Sequence, residues 1–499
     1  MSRIARRGFL NSAVAGGVGL ALPLRHSQAS PVNSAAGSND EIRVAVIGMG
    51  GFDGVGGRGR QLIAALKDVS GVRITALCDI DEMLLDHEHK KLEGRRRNIK
   101  KYKDMRDVFD DAEIDAVFIA LPNHWHALAT IWACQAGKDV YVEKPASYNI
   151  WEGRQMVNAA QKYNRIVQTG TQARSSDVES QLAEYIGGGQ LGKVKLARAI
   201  IYRRRESIGK VSGPQPVPAS VDYNQWLGPA PRTDLMRKEL HYLWHWDWAT
   251  GNGEIGNNGV HYLDRCRWIL GQSGLPRRAM SIGGRFQFDD DGQTPNTQIA
   301  FLDYDPAPIL CEVRGLPDKQ GSRTMDTLGR VGKGIIFECE GGSVESDRKV
   351  TTAYDVRGKK IRSFEDRREG NTSPSPHQEN FIAAMRSRKA SDLNADILDG
   401  HLSAALCHMA NISHRLGTRT QPSEIVESAK RNSDLADAFE RFQQHIELNG
   451  IDLTKVPAVL GPWVTIDSDS EKFVGEFAGP ANQLCRREYR EPFAVPESV

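Results

Sequence analysis

Ile42 to Ile47 (Ile-Arg-Val-Ala-Val-Ile) is a short, mostly apolar run, the pattern of a strand buried on both faces of a parallel sheet. Similar runs span Val72 to Cys78, Asp115 to Leu121, Asp139 to Val142 and Arg165 to Gln168. Between them the pattern turns helical. One helix starts near Arg58 and carries Leu62, Ile63, Ala65 and Leu66; a second runs from Asn123 to about Ala136. A third starts at the capping-box-like Asn149-x-x-Glu152 and runs to about Tyr163. Strands alternating with helices at this spacing predict an α/β domain with a doubly wound parallel sheet over 41–170. Val194 to Arg203 reads as a further strand ending in Arg203-Arg204-Arg205. Pro214 to Pro231, with Trp226-Leu227-Gly228-Pro229, reads as a covering loop. Between Ala279 and Ile361, short apolar runs separated by Gly, Asp and Pro predict an open, mainly antiparallel sheet. From His377 the pattern is helical again. Leu402, Ala405, Leu406, Met409, Ile412 and Leu416 form one stripe that stops at Gly417, a helix over 395–417. A second, α+β domain is thus expected over 171–440. A C-terminal extension over 441–499 follows, irregular from Ile451, whose Arg486 to Arg490 wraps the surface or a partner subunit.

The first thirty residues are of another kind. Arg6-Arg7-Gly8-Phe9-Leu10, a mild apolar stretch from Ala13 to Leu24, and the small-x-small site Ser27-Gln28-Ala29 have the order of a twin-arginine signal peptide over 1–29. Ala5 stands where Ser or Thr is usual. A polar linker over 30–40 follows, and the expected location is the periplasm. Beyond that signal no apolar run approaches the ~18 residues of a membrane helix. Lys and Arg number 65 against 63 Asp and Glu, a net charge of +2 that gives no phosphate-seeking field and excludes nucleic acid as the first partner to consider. The seven cysteines form no CxxC pair, which argues against a zinc ribbon and a disulfide scaffold. His124, His126, His241 and His245 have no carboxylate or Cys at a ligand spacing, so no metal is expected.

Gly48-Met49-Gly50-Gly51 follows the first strand, and Arg58 opens the helix after it. Strand, glycine turn and helix make the setting of a dinucleotide fingerprint on a Rossmann sheet. Glycine lets the backbone approach a pyrophosphate, and the helix start supplies N–H groups and a positive dipole end. Phe52 to Gly57 makes the spacing irregular. The second strand ends at Asp79, whose carboxylate can accept from both ribose hydroxyls and repels a 2′-phosphate, which favours NAD over NADP. The same carboxylate could instead cap the following helix. The basic run Arg95, Arg96, Arg97, Lys100, Lys101 and Lys103 reads as a solvated face. Gly48, Asp79, Asn123, Lys144 and Gln172 all fall at or just past strand ends, where ligands of such sheets bind.

Glu143-Lys144-Pro145, with Pro122-Asn123-His124-Trp125-His126 before it and the stretch from Gly251 to Asp264 after it, resembles the Gfo/Idh/MocA oxidoreductase family over about residues 41–420. The resemblance implies an NAD(P)-dependent oxidoreductase acting on a sugar or sugar-derived polyol in a face-to-sheet site. It places cofactor contacts at Gly48, Gly50, Gly51, Arg58, Asp79, Asn123, His126, Glu143, Lys144 and Gln172. A homo-oligomer, dimer or tetramer, is expected.

Taking a hydride from a carbinol carbon needs a base for the hydroxyl proton. The resemblance gives Lys144 contact with substrate and cofactor, and an ammonium there can hydrogen-bond the reacting oxygen. His261, whose ordinary pKa near 6.5 suits proton exchange, is the second catalytic candidate. Asp264, three residues on, could orient His261 or contact substrate. Relatives often carry Asp four residues before this His; here it is Asn257, counted among the substrate contacts, and an amide is no base at neutral pH. Tyr242, Trp244, Trp246 and Trp248 alternate with other residues, so a strand would put all four rings on one face, as a sugar platform or as core. Tyr242 and Trp246 are the substrate-binding candidates there. Two activities remain open: a sugar oxidoreductase with a tightly held cofactor, and a redox-neutral glycoside-cleaving enzyme. A non-catalytic ligand-binding relative is the third reading.

Overall fold

The computed structural model describes residues 41–52, 56–93, 98–347, 350–367 and 375–499. The signal peptide and linker expected over 1–40 lie outside the described residues, as do Arg95, Arg96 and Arg97. The first domain is built on six parallel strands: β1 (Ile42–Ile47), β2 (Val72–Cys78), β3 (Lys100–Tyr102), β4 (Ala116–Ile119), β5 (Asp139–Val142) and β6 (Val167–Thr169). Their order is β3-β2-β1-β4-β5-β6. The direction of winding reverses between β1 and β4, and that switch point is where an open α/β sheet binds its ligand. The connecting helices are α1 (Arg58–Leu66), α2 (Glu82–Glu93), α3 (Met105–Asp110), α4 (Asn123–Gln135) and α5 (Ile150–Lys162). Helices cover both faces, so Val44, Ala45 and Val46 of β1 and Ala116, Val117 and Phe118 of β4 are wholly buried, which is why these strands read as continuous apolar runs. Asn149 caps α5 as expected, accepting from the Glu152 N–H at 2.8 Å.

β3 is an addition to the expected sheet. It lies inside the basic run, at an edge where its Lys100 and Lys101 side chains face water, so it carries no apolar pattern.

Helix α6 (Asp177–Gly187) leads into the second domain. There follow β7 (Val194–Tyr202), α7 (Tyr223–Leu227), α8 (Val260–Ile269), β8 (Arg278–Gly284), β9 (Thr297–Leu302), β10 (Ile309–Arg314), β11 (Lys333–Cys339), β12 (Gly342–Asp347), β13 (Thr351–Asp355) and β14 (Lys360–Phe364). The chain continues through α9 (Pro376–Ser387), α10 (Ile397–Leu416), β15 (Thr418–Arg419), α11 (Pro422–Ala429) and α12 (Ser433–Leu448). It closes with β16 (Val459–Leu460), β17 (Val464–Asp467), β18 (Lys472–Val474) and α13 (Ala478–Leu484). The sheet runs β14-β13-β12-β11-β7-β10-β9-β8-β16-β15, with β17 bridging β8 and β18. Among the described strands of this sheet, only β7 and β10 pair in parallel. Helices α8 and α10 cover one face, with Ala197, Ala199 and Ile201 of β7 in the same core as Leu263, Leu406 and Met409. α10 also packs on the first domain: Gly400 sits so close to Thr169 that a Cβ would fall 2.0 Å from its hydroxyl. All seven cysteines are buried free thiols. No helix among the described residues is long and apolar enough to cross a membrane.

Three expectations need correction. The aromatic alternation is not a strand: Leu243–Trp246 is a 3-10 turn, so Tyr242, Trp244, Trp246 and Trp248 do not share a face. The Pro-rich loop contains α7, capped by Asp222. The tail from Ile451 is not irregular throughout, because β16 and β17 join the main sheet. Strands of two to four residues are too short to show a period. Beyond α13 the chain returns to the first domain, where the Tyr489 hydroxyl donates to Glu152 at 2.9 Å and Arg487 stands over the Tyr148 ring.

Candidate active site

A cavity of about 520 Å³ opens at the β1/β4 switch point and is bounded across from it by the end of β7 and the start of α8. Its floor on one side is the glycine turn. Gly48 and Gly50 have φ of +90° and +86°, and a Cβ on either would meet main chain, Ala120 O at 2.7 Å and Gly56 O at 2.2 Å. Gly59, in the first turn of α1, packs against Gly48 so tightly that a Cβ would lie 1.8 Å from its carbonyl oxygen. This third glycine lets the helix start sit directly behind the turn, and Gly57 at the N-cap puts no side chain in the way. The residues present therefore fit a dinucleotide: a cradle open to a pyrophosphate, and a carboxylate at the next strand end.

That carboxylate is Asp79. It accepts from the Met49 N–H at 2.6 Å and from the Asp81 N–H at 2.9 Å, while lining the cavity. Burial lifts its pKa to about 6, against the pull of those two bonds. The start of α2 is closed by Asp81 instead, which accepts from the Met83 N–H at 3.0 Å and pairs with His241 at 3.0 Å. His241, Tyr242, Trp244 and Trp226 bring the second domain over this end of the cavity, and Phe493 of the returning tail packs on Trp125 beside them. The Trp226 carbonyl, fixed by the Trp125 indole N–H at 2.9 Å, holds that cover down.

At the end of β5, Glu143 pairs with Arg58 at 2.6 Å and takes a longer bond from Gln172 at 3.3 Å. Lys144 follows, with a cis bond to Pro145. The His126 ring spans the Pro145 and Leu121 carbonyls at 2.7 and 2.8 Å and so ties this turn to the end of β4. The Lys144 ammonium donates to the Asn257 carbonyl at 2.6 Å. That carbonyl is presented by a π turn, Ile255–Gly259, at the head of α8. His261 lies one turn on and faces the cavity. Burial holds the Lys144 pKa below its ordinary value, Arg58 and Arg203 adding to the effect and Glu143 opposing it. An amine so placed can surrender its proton more readily than a surface lysine.

Of the expected site residues, the cavity brings together Gly48, Gly50, Arg58, Asp79, His126, Glu143, Lys144, Gln172, Tyr242, Asn257 and His261. Four lie outside it. Gly51 carries its carbonyl to Arg60. Asn123 is buried against Asn252. Asp264 does not line the cavity: it is wholly buried, paired with Arg174 at 2.9 Å and accepting from Ser403 at 2.7 Å. Trp246 is buried with the Arg285 guanidinium 4.8 Å above its ring. Gly59, Trp226, His241 and Phe493 were not among the expected site residues. Gly59 had a local sign, as a glycine inside the first turn of the expected helix, and Trp226 lay in the expected covering loop.

A doubly wound sheet with a glycine turn at its switch point, facing a mainly antiparallel sheet across one cavity, defines a two-domain dinucleotide-binding architecture. Residues 42–171 match the NAD-binding Rossmann fold of the Gfo/Idh/MocA oxidoreductase family, and residues 202–322 match that family's C-terminal α/β domain. The chain belongs to this family. It is 30% identical over 177 residues to a glycosyl hydrolase family 109 protein of Shewanella pealeana, 32% of this chain and 38% of that one. It is 25% identical over 280 residues to the rhizopine catabolism protein MocA of Rhizobium meliloti, 56% of this chain and 70% of that one. The matches to the first curated relatives thus span less than half of their length. The aldose-aldose oxidoreductase of Caulobacter crescentus shares the fold, with a TM-score of 0.55 at 15% identity over 73% of this chain and 94% of that one.

Proposed function

We propose that this protein is an NAD-dependent oxidoreductase that acts on a hydroxyl of a sugar or sugar-derived polyol, exported by the twin-arginine route and carrying its cofactor with it. One observation supports this above others: Lys144 and His261 face the same cavity as the glycine turn and Asp79. A dinucleotide held at the glycine turn and Asp79 would supply the hydride acceptor and donor. The chain's own part is to hold and to move protons. Lys144, anchored on a main-chain carbonyl, is assigned to the reacting oxygen, whose proton its neutral amine can take; His261, lining the same cavity, is assigned to relay it. Asn257 contributes its carbonyl and not a base. NAD rather than NADP is supported by Asp79 and by its neighbours. Lys103 and Arg106, which also line that end, are already paired with Glu82 and Asp104, at 3.1 and 2.5 Å.

A second reading rests on the likeness to a glycosyl hydrolase family 109 protein. Oxidation of one ring carbon acidifies the neighbouring C–H; loss of that proton expels the aglycone, water adds, and the carbon is reduced again. Both readings need a cofactor restored in place. The test is to purify the mature protein, identify its bound dinucleotide, and incubate it with sugars and glycosides without added NAD. Sugar-dependent reduction of the bound nicotinamide without cleavage supports the first reading. Catalytic release of aglycone replaces it with the second. A protein empty of dinucleotide and unable to take any up overturns both.

A further inference from the structure

Side chains alternate along β7, and Ala197, Ala199 and Ile201 point into the core beneath α8 and α10. The next residue on that face is Arg203, which leaves the core and enters the cavity. Its guanidinium donates to the Asn258 side-chain oxygen at 3.2 Å. Among the described residues it meets no carboxylate at ion-pair distance, whereas Arg204, Arg205 and Arg58 are each paired with one. Arg204 turns outward to Glu206 at 2.6 Å, Arg205 pairs with Glu254, and Arg58 pairs with Glu143. Lys144 likewise rests on a neutral oxygen, the Asn257 carbonyl. Position 257 is an amide and adds no counter-charge. This end of the cavity therefore carries the Arg203 guanidinium, held by a neutral amide, beside Lys144, whose ammonium rests on a neutral oxygen with Glu143 next to it, in a half-enclosed space where water screens charge poorly. A half-buried guanidinium without its own carboxylate is a cost to the folded protein unless a ligand supplies the anion. The pyrophosphate has its own cradle at the glycine turn and the start of α1.

Resting on the oxidoreductase reading above, we propose that the substrate is an acidic carbohydrate, a sugar bearing a carboxylate, whose carboxylate is gripped by Arg203 while Lys144 addresses the hydroxyl. A planar guanidinium matches a carboxylate in a two-point bond, and a single guanidinium balances the one charge of a carboxylate but leaves half the charge of a phosphate dianion uncompensated. The charge on Lys144 is not available for that purpose, since it must come and go with the proton.

The test uses the holoprotein as purified and pairs of methyl glycosides that differ only in charge: glucuronate with glucose, galacturonate with galactose, mannuronate with mannose. Binding is read by calorimetry and reaction by the absorbance of the bound nicotinamide. In at least one pair the uronate is expected to bind on the order of 100-fold tighter than its neutral partner. Arg203→Gln should remove most of that preference, Arg203→Lys should keep part of it, and Arg204→Gln, outside the cavity, should leave it unchanged. Equal or weaker binding of the uronate in every pair overturns the proposal, as does failure of all six probes to bind. So does an Arg203→Gln protein that keeps the preference, or one that loses dinucleotide instead, which would place Arg203 on the cofactor. A sugar phosphate bound more tightly than any uronate would also overturn it. Uronate preference without any reduction of the nicotinamide counts against the oxidoreductase reading alone and leaves this one standing.

Discussion

Burial sets the acidity of the two titratable residues that matter most, in opposite directions of use. Lys144 has its pKa lowered by burial, so the folded chain gives up a proton that the unfolded chain still holds. Stability therefore rises with pH between the lowered value and the ordinary lysine range, and at neutral pH the ammonium is a cost. Lys144→Met is expected to melt higher than wild type at neutral pH, with the gap closing as pH climbs toward that range. Its turnover should fall by about a thousandfold or more while dinucleotide stays bound. Thermal melts and single-turnover absorbance check both halves. Asp79 is raised to about 6, so the folded state keeps a proton through a window, from about 3.9 up to about 6, where the unfolded chain has lost it. Stability falls as pH rises through that window, and above it the carboxylate is ionised. NAD affinity of the stripped protein should weaken below about pH 6, and Asp79→Asn should cost about tenfold or more at neutral pH. Calorimetry across that range decides it; an affinity flat with pH would remove Asp79 from the ribose site.

The turn from β1 into α1 works only because the helix comes up against the strand without a side chain between them. Gly59→Ala puts a methyl group 1.8 Å from the Gly48 carbonyl, so α1 must shift and the cradle with it. Expected are a loss of about 1–3 kcal/mol in unfolding free energy and a protein purified without dinucleotide. Wild-type melting with full cofactor content would show that the cradle tolerates the shift. Elements of this kind differ in how legible they are. The buried parallel strands could be read directly, because helices on both faces demand unbroken apolar runs, and the strand ends then located Gly48, Asp79 and Lys144. β3 could not, since an edge strand of Lys, Lys and Tyr shows no such demand. The aromatic alternation from Tyr242 looks like a strand by residue type. Its rings are in fact sorted by partners remote in sequence, Arg285 taking Trp246 inward. Asp264 is misleading in the same way: its direction is decided by Arg174 and Ser403, 90 and 139 positions away. The π turn that aims the Asn257 carbonyl has no local signature beyond its glycines.

At the scale of the whole molecule, the cavity belongs to no single domain. α10 locks the two halves through Gly400 on Thr169 and through His408 near Ser147. Trp226, His241 and Phe493 then close over the end where adenosine would lie. Phe493→Ala should leave the fold intact, because the tail is also held at Glu152 and Asn224, yet speed dinucleotide loss by roughly tenfold. Dialysis followed by absorbance measures that rate. The cover over the cavity has a kinetic consequence. If the carrier of electrons stays inside, the donor's product must depart before an acceptor can enter the space it leaves. Each partner then competes with the other for one vacancy, and initial rates measured at several concentrations of both should give parallel double-reciprocal lines. Lines that cross would mean that donor and acceptor occupy the protein together.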